Sequence, residues 1–104
     1  MNTASQDDEW VDLSEYLARN DGCLVYYCPG CQCSHAVYVD KPHPLNGGLW
    51  TWNRDAVRPT LSPSVNYTGS CHHFVRDGKI QYLSDCTHAL AGKTVDMQPL
   101  FATN

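Results

Sequence analysis

The motif CPGC at residues 28–31 constrains the fold of this chain more than any other feature. Two cysteines separated by two residues can both bind one tetrahedral Zn²⁺ at about 2.3 Å, and the Pro-Gly pair favours the tight turn between them. The rival interpretation, a thioredoxin-like redox pair, requires a helix directly after the motif. Polar residues with β-type alternation follow Cys31 instead, which favours metal binding.

The redox environment decides what six cysteines in 104 residues mean. In a secreted protein they would suit three disulfides. Residues 1–21 are instead acidic, without an apolar run of signal-peptide length. No stretch approaches the roughly 20 apolar residues of a membrane span. We therefore expect a cytoplasmic protein, in which thiols stay reduced and clustered cysteines bind metal.

The size and the charge of the chain narrow the possible classes of protein further. A chain of this length removes only about two thirds of its unfolded surface from water, so a metal cross-link would help its marginal core. The net charge of −4 disfavours nucleic-acid binding, which rests on Lys and Arg neutralising phosphates. We expect a flexible N-terminus over residues 1–8 and a single zinc-stabilised domain over residues 9–104.

Hydrophobic spacing predicts the elements. Trp10, Leu13, Tyr16 and Leu17 are spaced as on one face of a short N-terminal helix, ended at residues 20–22. Short β-type runs then predict strands at residues 24–27, 36–39, 49–53, 65–68 and 94–97, with one helical turn at 87–91. The predicted class is β-rich α+β, a small zinc-ribbon-like antiparallel β domain.

The segment CHHFVRDGKIQYL (71–83) holds the clearest hairpin signal, an Asp-Gly pair between two β-rich arms. Pairing Arg76 with Lys79 would fix its register. Because neighbouring strand residues point to opposite faces, Cys71 and His72 are not expected to bind the same ion.

A structural zinc ion needs four ligands, and the CPGC motif supplies two of them. The preferred set is Cys28, Cys31, Cys71 and His88. Cys86 is the first substitute for His88, and His35 is the second. The remaining residues of these types are read as spare thiols (Cys23, Cys33) and as exposed or loop histidines (His43, His73).

The segment WTWNRDAVRPTLSPS (50–64) forms a second group. Trp50 and Trp52 either cover a thin core, which we favour, or line a recognition groove. The polar side chains of the segment either satisfy turns or serve a function, and both interpretations stay open. These polar residues are Asn53, Asp55, Arg58, Thr60, Ser62 and Ser64.

Catalysis is the main alternative to binding. A hydrolytic zinc keeps an open position for water and needs a nearby base, which His72, Asp55 or Asp85 could supply. The chain has no HExxH, no deaminase signature and no GxSxG. A thiolate-rich ligand set is typical of a closed structural site, so the sequence leans against an enzyme.

Residues 26 to 96 resemble a family of small, uncharacterised bacteriophage and prophage proteins, often labelled ammonia monooxygenase or anaerobic dehydrogenase. The matching blocks are CPGC with His35, WTWN with Asp55, PTLSPS, and CHHFVRDGKIQYLSDCTHALAGKTV. The resemblance implies motif positions at Cys28, Cys31, His35, Cys71, His72 and His88. It supports His88 over Cys86 as a ligand, whereas no copper, flavin or nicotinamide motif supports the two labels.

The predicted role is that of a phage-encoded accessory protein in the bacterial host cytoplasm. It would bind a protein partner, a host factor or a defence component, through a zinc-stabilised surface. The alternatives are a zinc-dependent hydrolase with an open metal site and a minor virion component. Nucleic acid and membrane are not expected as partners, and the oligomeric state stays open.

Overall fold

The computed structural model describes residues 11–100, and these form β-strands without a helix. The strands are β1 (Val11–Asp12), β2 (Ala18–Asn20), β3 (Cys23–Cys28), β4 (Cys33–Tyr38), β5 (Thr51–Trp52), β6 (Leu61–Tyr67), β7 (Cys71–Arg76), β8 (Lys79–Tyr82) and β9 (Thr94–Asp96). They build two antiparallel sheets with the orders β1-β2-β3-β4 and β5-β6-β7-β8-β9.

The core lies between the two sheets. Alternate residues of β7 are buried, as a strand with one inward face requires, whereas the consecutive residues 24–26 of β3 are all buried. Leu24 and Tyr26 of β3 belong to the same buried cluster as Val75 of β7 and Ile80 of β8. The Tyr26 hydroxyl also lies 2.7 Å from Nε2 of His73, so a buried hydrogen bond joins the sheets.

Both predicted tight turns are confirmed, and each connects the two strands of a hairpin. Arg76 pairs with Lys79, and Asp77 and Gly78 between them have φ of +51° and +78°, the positive values that a type I′ turn needs. The CPGC motif connects β3 to β4, and Cys28 pairs with Cys33.

The predicted N-terminal helix is wrong within the described residues, while Trp10 lies outside them. Residues 11–20 form the β1-β2 hairpin, with Val11 paired to Arg19. Ser14 holds the bend, because its Oγ accepts from the backbone N–H of Leu17 at 3.1 Å and donates to Ala56 C=O at 2.7 Å. A window of eight residues carries too few apolar positions to separate helical spacing from a tight hairpin.

Two further expectations concern the ends of the chain and the last loop. Residues 87–91 form turns and bends instead of the predicted helical turn. The boundary between residues 8 and 9 lies outside the described residues and stays a prediction. Among residues 11–100 there is no helix long and apolar enough to cross a bilayer.

Candidate functional site

One Cys/His cluster joins the two sheets. It contains Cys28 at the end of β3, Cys31 in the following turn, His35 of β4 and Cys71 at the start of β7. Their ligand atoms all lie within 4.8 Å of one another. Three sulfurs and an imidazole nitrogen match the Cys₃His set of structural zinc sites, so these side chains could hold one metal ion.

The thiols of this cluster resist ionising together. Burial raises the pKa of Cys28, but the neighbouring His35 side chain and hydrogen bonds from the Tyr82 hydroxyl and the Cys31 backbone outweigh it and lower that pKa to about 6. Burial raises the pKa of Cys31 to about 11 and that of Cys71 further, with the Cys28 thiolate adding to both. A divalent cation among the sulfurs would remove this repulsion and favour three thiolates.

The His35 ring provides an independent test of whether a metal ion fits. It is stacked on Tyr67 with a centroid distance of 4.4 Å and on His73 at 5.5 Å. Its Nε2 atom is buried and has no hydrogen-bond partner among the described residues. An unpaired buried nitrogen costs free energy. Coordination to a metal ion would remove that cost, so the donor set fits a metal.

His88 belongs to a second close group, with Cys71 and Cys86. Its Nδ1 accepts the backbone N–H of Leu90 at 3.2 Å, so in the neutral ring Nε2 carries the proton. That Nε2 lies 3.4 Å from Cys71 Sγ and can donate to a thiolate there. Gly30 makes this placement possible, since a Cβ at residue 30 would come within 2.3 Å of the His88 ring.

The remaining cysteines and histidines have separate positions. Cys23 and Cys33 belong to neither close group. His43 lies in a loop as predicted, where its Nδ1 accepts the Leu45 backbone N–H. The prediction for His73 is wrong, because its side chain is fully buried between the sheets. Burial, assisted by neighbouring histidines, lowers the pKa of His73 to about 3, which keeps the ring neutral.

A second arrangement lies on the opposite, outward face of β7. The Oγ of Ser64 is 3.0 Å from Nε2 of His72, and Nδ1 of His72 is 3.1 Å from a carboxylate oxygen of Asp85. An ionised carboxylate only accepts, so His72 Nδ1 donates and Nε2 is left to accept the Ser64 hydroxyl proton. The connectivity hydroxyl to imidazole to carboxylate is that of a Ser-His-Asp triad.

Local structure positions the three side chains. The register between β6 and β7 shifts between Leu61 and Val65, and a bulge of this kind redirects the strand that carries Ser64. Cys86 holds the loop with Asp85 against β7. Its sulfur accepts from the backbone N–H of His72 and donates to the C=O of His72, both at 3.2 Å.

The structure thus separates the predicted residues into two sites. As predicted, Cys71 and His72 point to opposite faces, and His72 contacts Ser64 rather than the Cys/His cluster. Asp55 is not near His72; its carboxylate accepts backbone N–H groups of its own turn, which lowers its pKa. Ser64 had no distinguishing sequence signal, because a triad is defined by geometry and not by spacing.

The described residues define a small two-sheet β domain whose Cys and His side chains lie close enough to hold a metal ion. The chain belongs to the BubE family. The sequence model of that family, described as bacterial ubiquitination-like system serine protease (BubE), matches residues 3–83. No curated protein and no solved structure matches the chain.

The family match changes the conclusion drawn from the resemblance to bacteriophage proteins. It supports a small bacterial domain family and points to a component of a bacterial ubiquitination-like system. It does not point specifically to bacteriophage proteins. The matched region includes Ser64 and His72 and ends two residues before Asp85.

Cys86 gives a first prediction for stability. Cys86→Ala should lower the free energy of unfolding by about 1–2 kcal/mol, because the partly buried N–H of His72 loses its sulfur partner, whereas the C=O of His72 still accepts the Leu83 N–H. Cys86→Ser keeps a donor and an acceptor and should recover at least half of that loss. Urea denaturation at equal metal content measures both. Equal stability of the alanine variant and the parent would contradict the role of Cys86.

Proposed function

We propose that this protein is a serine protease in which Ser64 is the nucleophile, His72 the general base and Asp85 the group that orients His72. The observation that carries the proposal is the pair of contacts at 3.0 Å and 3.1 Å that join the three side chains. The family description as a serine protease supports the same reaction class. The protein substrate would belong to a bacterial ubiquitination-like system.

The proposed reaction follows from the proton positions. Ser64 Oγ attacks the scissile carbonyl carbon while His72 Nε2 takes the hydroxyl proton. His72 then protonates the leaving amine, and the C–N bond breaks to leave an acyl group on Ser64. Water, deprotonated by His72, attacks the ester carbonyl, and His72 returns that proton to Ser64 Oγ as the C–O bond breaks. Asp85 stabilises the imidazolium at each proton transfer.

The surroundings of the triad affect how strongly Asp85 acts, and they offer a donor for the negatively charged oxygen that forms during the attack. The Asp85 side chain is 64% exposed and that of His72 is 24% exposed, so solvent screens the stabilisation that Asp85 supplies. Asn66 pairs with His72 across the ladder and follows Ser64 by two residues, which places its amide on the same face. We propose Asn66 as a hydrogen-bond donor to the developing oxyanion.

We further propose that the ion is zinc and that its role is structural. Cys28, Cys31, Cys71 and His35 would hold it, and a bound ion would tie the CPGC turn to the strand that carries His72. His88 and His73 would each donate a hydrogen bond to the Cys71 thiolate. The alternative set with His88 as the fourth ligand stays a prediction, as do the roles as a partner-binding module, a zinc hydrolase or a virion component.

A fluorophosphonate probe tests the protease proposal directly, because it phosphonylates an activated serine nucleophile. We expect one adduct per chain, mapped to Ser64 by peptide mass spectrometry. His72→Ala should remove the adduct, since no base would then activate the hydroxyl. Ser62 and Ser70, exposed serines of the same region, serve as internal controls. An adduct spread over several serines, or none, would sink the proposal.

The fourth metal ligand gives a second prediction. Cobalt-substituted protein should show absorption typical of three thiolates. His35→Ala should lower the affinity for the ion by about 10-fold or more. His88→Ala should keep the three-thiolate spectrum, with a smaller loss in affinity. Equilibrium dialysis gives the affinities. The reverse order would favour the set that contains His88.

A further inference from the structure

A cavity of about 280 Å³ lies between β4 and the part of β6 that directly follows Ser64. Its lining includes Ala36 and Tyr38 of β4, Trp50, and Val65 and Asn66 of β6. Pockets for whole small molecules span about 300–1,000 Å³. The cavity is therefore at the lower end of that range and suits a single side chain.

The cavity is tied to the triad by covalent and hydrogen bonds. Val65 and Asn66 are the two residues that follow Ser64 in β6. The indole N–H of Trp50 donates to the Ser64 C=O at 3.3 Å, and the Trp50 backbone N–H donates to Tyr38 C=O at 2.8 Å. One wall of the cavity is thus held by the backbone of the residue that carries the attacking oxygen.

The lining combines aromatic and apolar side chains with the polar side chains of His43, Asn46 and Asn66, and it holds no Lys, Arg, Asp or Glu. Tyr38, Trp50 and Tyr67 contribute aromatic rings to it, and Ala36 and Val65 contribute methyl groups. Because a buried charge without a partner costs several kcal/mol, such a lining disfavours acidic and basic side chains. Flat ring faces and methyl groups pack well against an aromatic or branched apolar side chain.

We propose that this cavity is the substrate subsite that takes an uncharged aromatic or branched apolar side chain next to the bond that Ser64 attacks. The inference rests on the proposed protease function and adds the class of residue that the protease selects. It assigns a role to Trp50 of the 50–64 segment, which the triad itself does not use.

The test begins with a synthetic peptide library in which every pair of neighbouring residues occurs, digested by the full chain and sequenced by mass spectrometry. We expect cleavage sites with an aromatic or branched apolar residue at one fixed position from the cut bond, enriched about 10-fold or more over charged residues. Preference for Lys or Arg, preference for Asp or Glu, or no fixed preference would overturn the subsite.

A filled cavity gives the second arm. Ala36→Leu adds three carbons to the lining from an exposed position of β4. For two peptides that differ only at the selected residue, the ratio of kcat/KM for the bulky over the alanine peptide should fall by about 10-fold or more. Ser34→Leu adds similar bulk on the same strand face but outside the cavity, and should leave that ratio unchanged. An unchanged ratio in Ala36→Leu would overturn the inference.

The two proposals fail in different ways. Without a fluorophosphonate adduct on Ser64, both the protease and its subsite are wrong. With the adduct present, a library without the expected preference removes the subsite alone. The library uses the parent protein, so the subsite can be judged even where Ala36→Leu does not fold.

Discussion

Replacing Ser64 with alanine is expected to lower kcat for peptide cleavage by about 10⁴- to 10⁶-fold. The hydroxyl of Ser64 is the atom within 3.0 Å of His72 Nε2, and alanine has no atom that could replace it as a nucleophile. The measurement is the initial rate on a peptide selected from the library. Removing the hydroxyl leaves a vacancy of one oxygen atom at a half-buried position, so folding should persist.

Ser62→Ala is the matched control for this prediction. Ser62 lies two residues before Ser64 in the same strand, is exposed, and has no contact with His72. It should cleave at the parental rate. Loss of activity in both variants would mean that the strand, rather than the hydroxyl, is responsible. Full activity of Ser64→Ala would exclude Ser64 as the nucleophile.

Removing the thiol at residue 71, a proposed metal ligand, is expected to have the second largest effect. Cys71 is the only cysteine of the four-donor cluster that comes from the second sheet, so Cys71→Ser should release both the ion and the link between the sheets. Structural zinc contributes about 10–16 kcal/mol of binding free energy in small domains, whereas whole domains are stable by about 5–15 kcal/mol. We therefore expect Cys71→Ser, or chelation of the parent, to leave the chain unfolded at 25 °C. Heating should then show no cooperative transition.

Circular dichroism during thermal unfolding, paired with metal analysis, measures this effect. Cys33→Ser is the control, because Cys33 is exposed and outside both Cys/His groups. It should bind metal and unfold like the parent. Parent protein that stays folded and free of metal after chelation would refute the metal centre. The cluster would then be a set of ordinary buried side chains.

The two sites share one strand, and this links them physically. Along β7, Cys71 and His73 point into the core and His72 points outward between them. A metal ion that holds Cys71 would therefore limit the movement of His72 through the single peptide unit that joins the two residues. Cys86 adds a second restraint, since it binds the His72 backbone and lies next to Asp85. Loss of metal should impair the triad even though no triad atom belongs to the cluster.

Several features could be predicted from the sequence alone because their causes are local. The Asp77-Gly78 turn follows from two residues that tolerate positive φ, and the hairpin register follows from the turn. The CPGC turn between two strands likewise depends on four consecutive residues. Alternation along β7 was enough to separate Cys71 from His72. Such inferences need no knowledge of distant parts of the chain.

The tertiary structure decided everything that depends on pairing between distant segments. Ser64 reaches His72 only because β6 pairs with β7 with a register shift, and Asp85 reaches His72 only because Cys86 holds its loop. His35 joins the cluster because β4 packs against the second sheet. Side-chain spacing along a chain does not determine which strands become neighbours or how two sheets stack. The triad and the fourth donor were therefore decided by packing, while the turns were decided by the residues themselves.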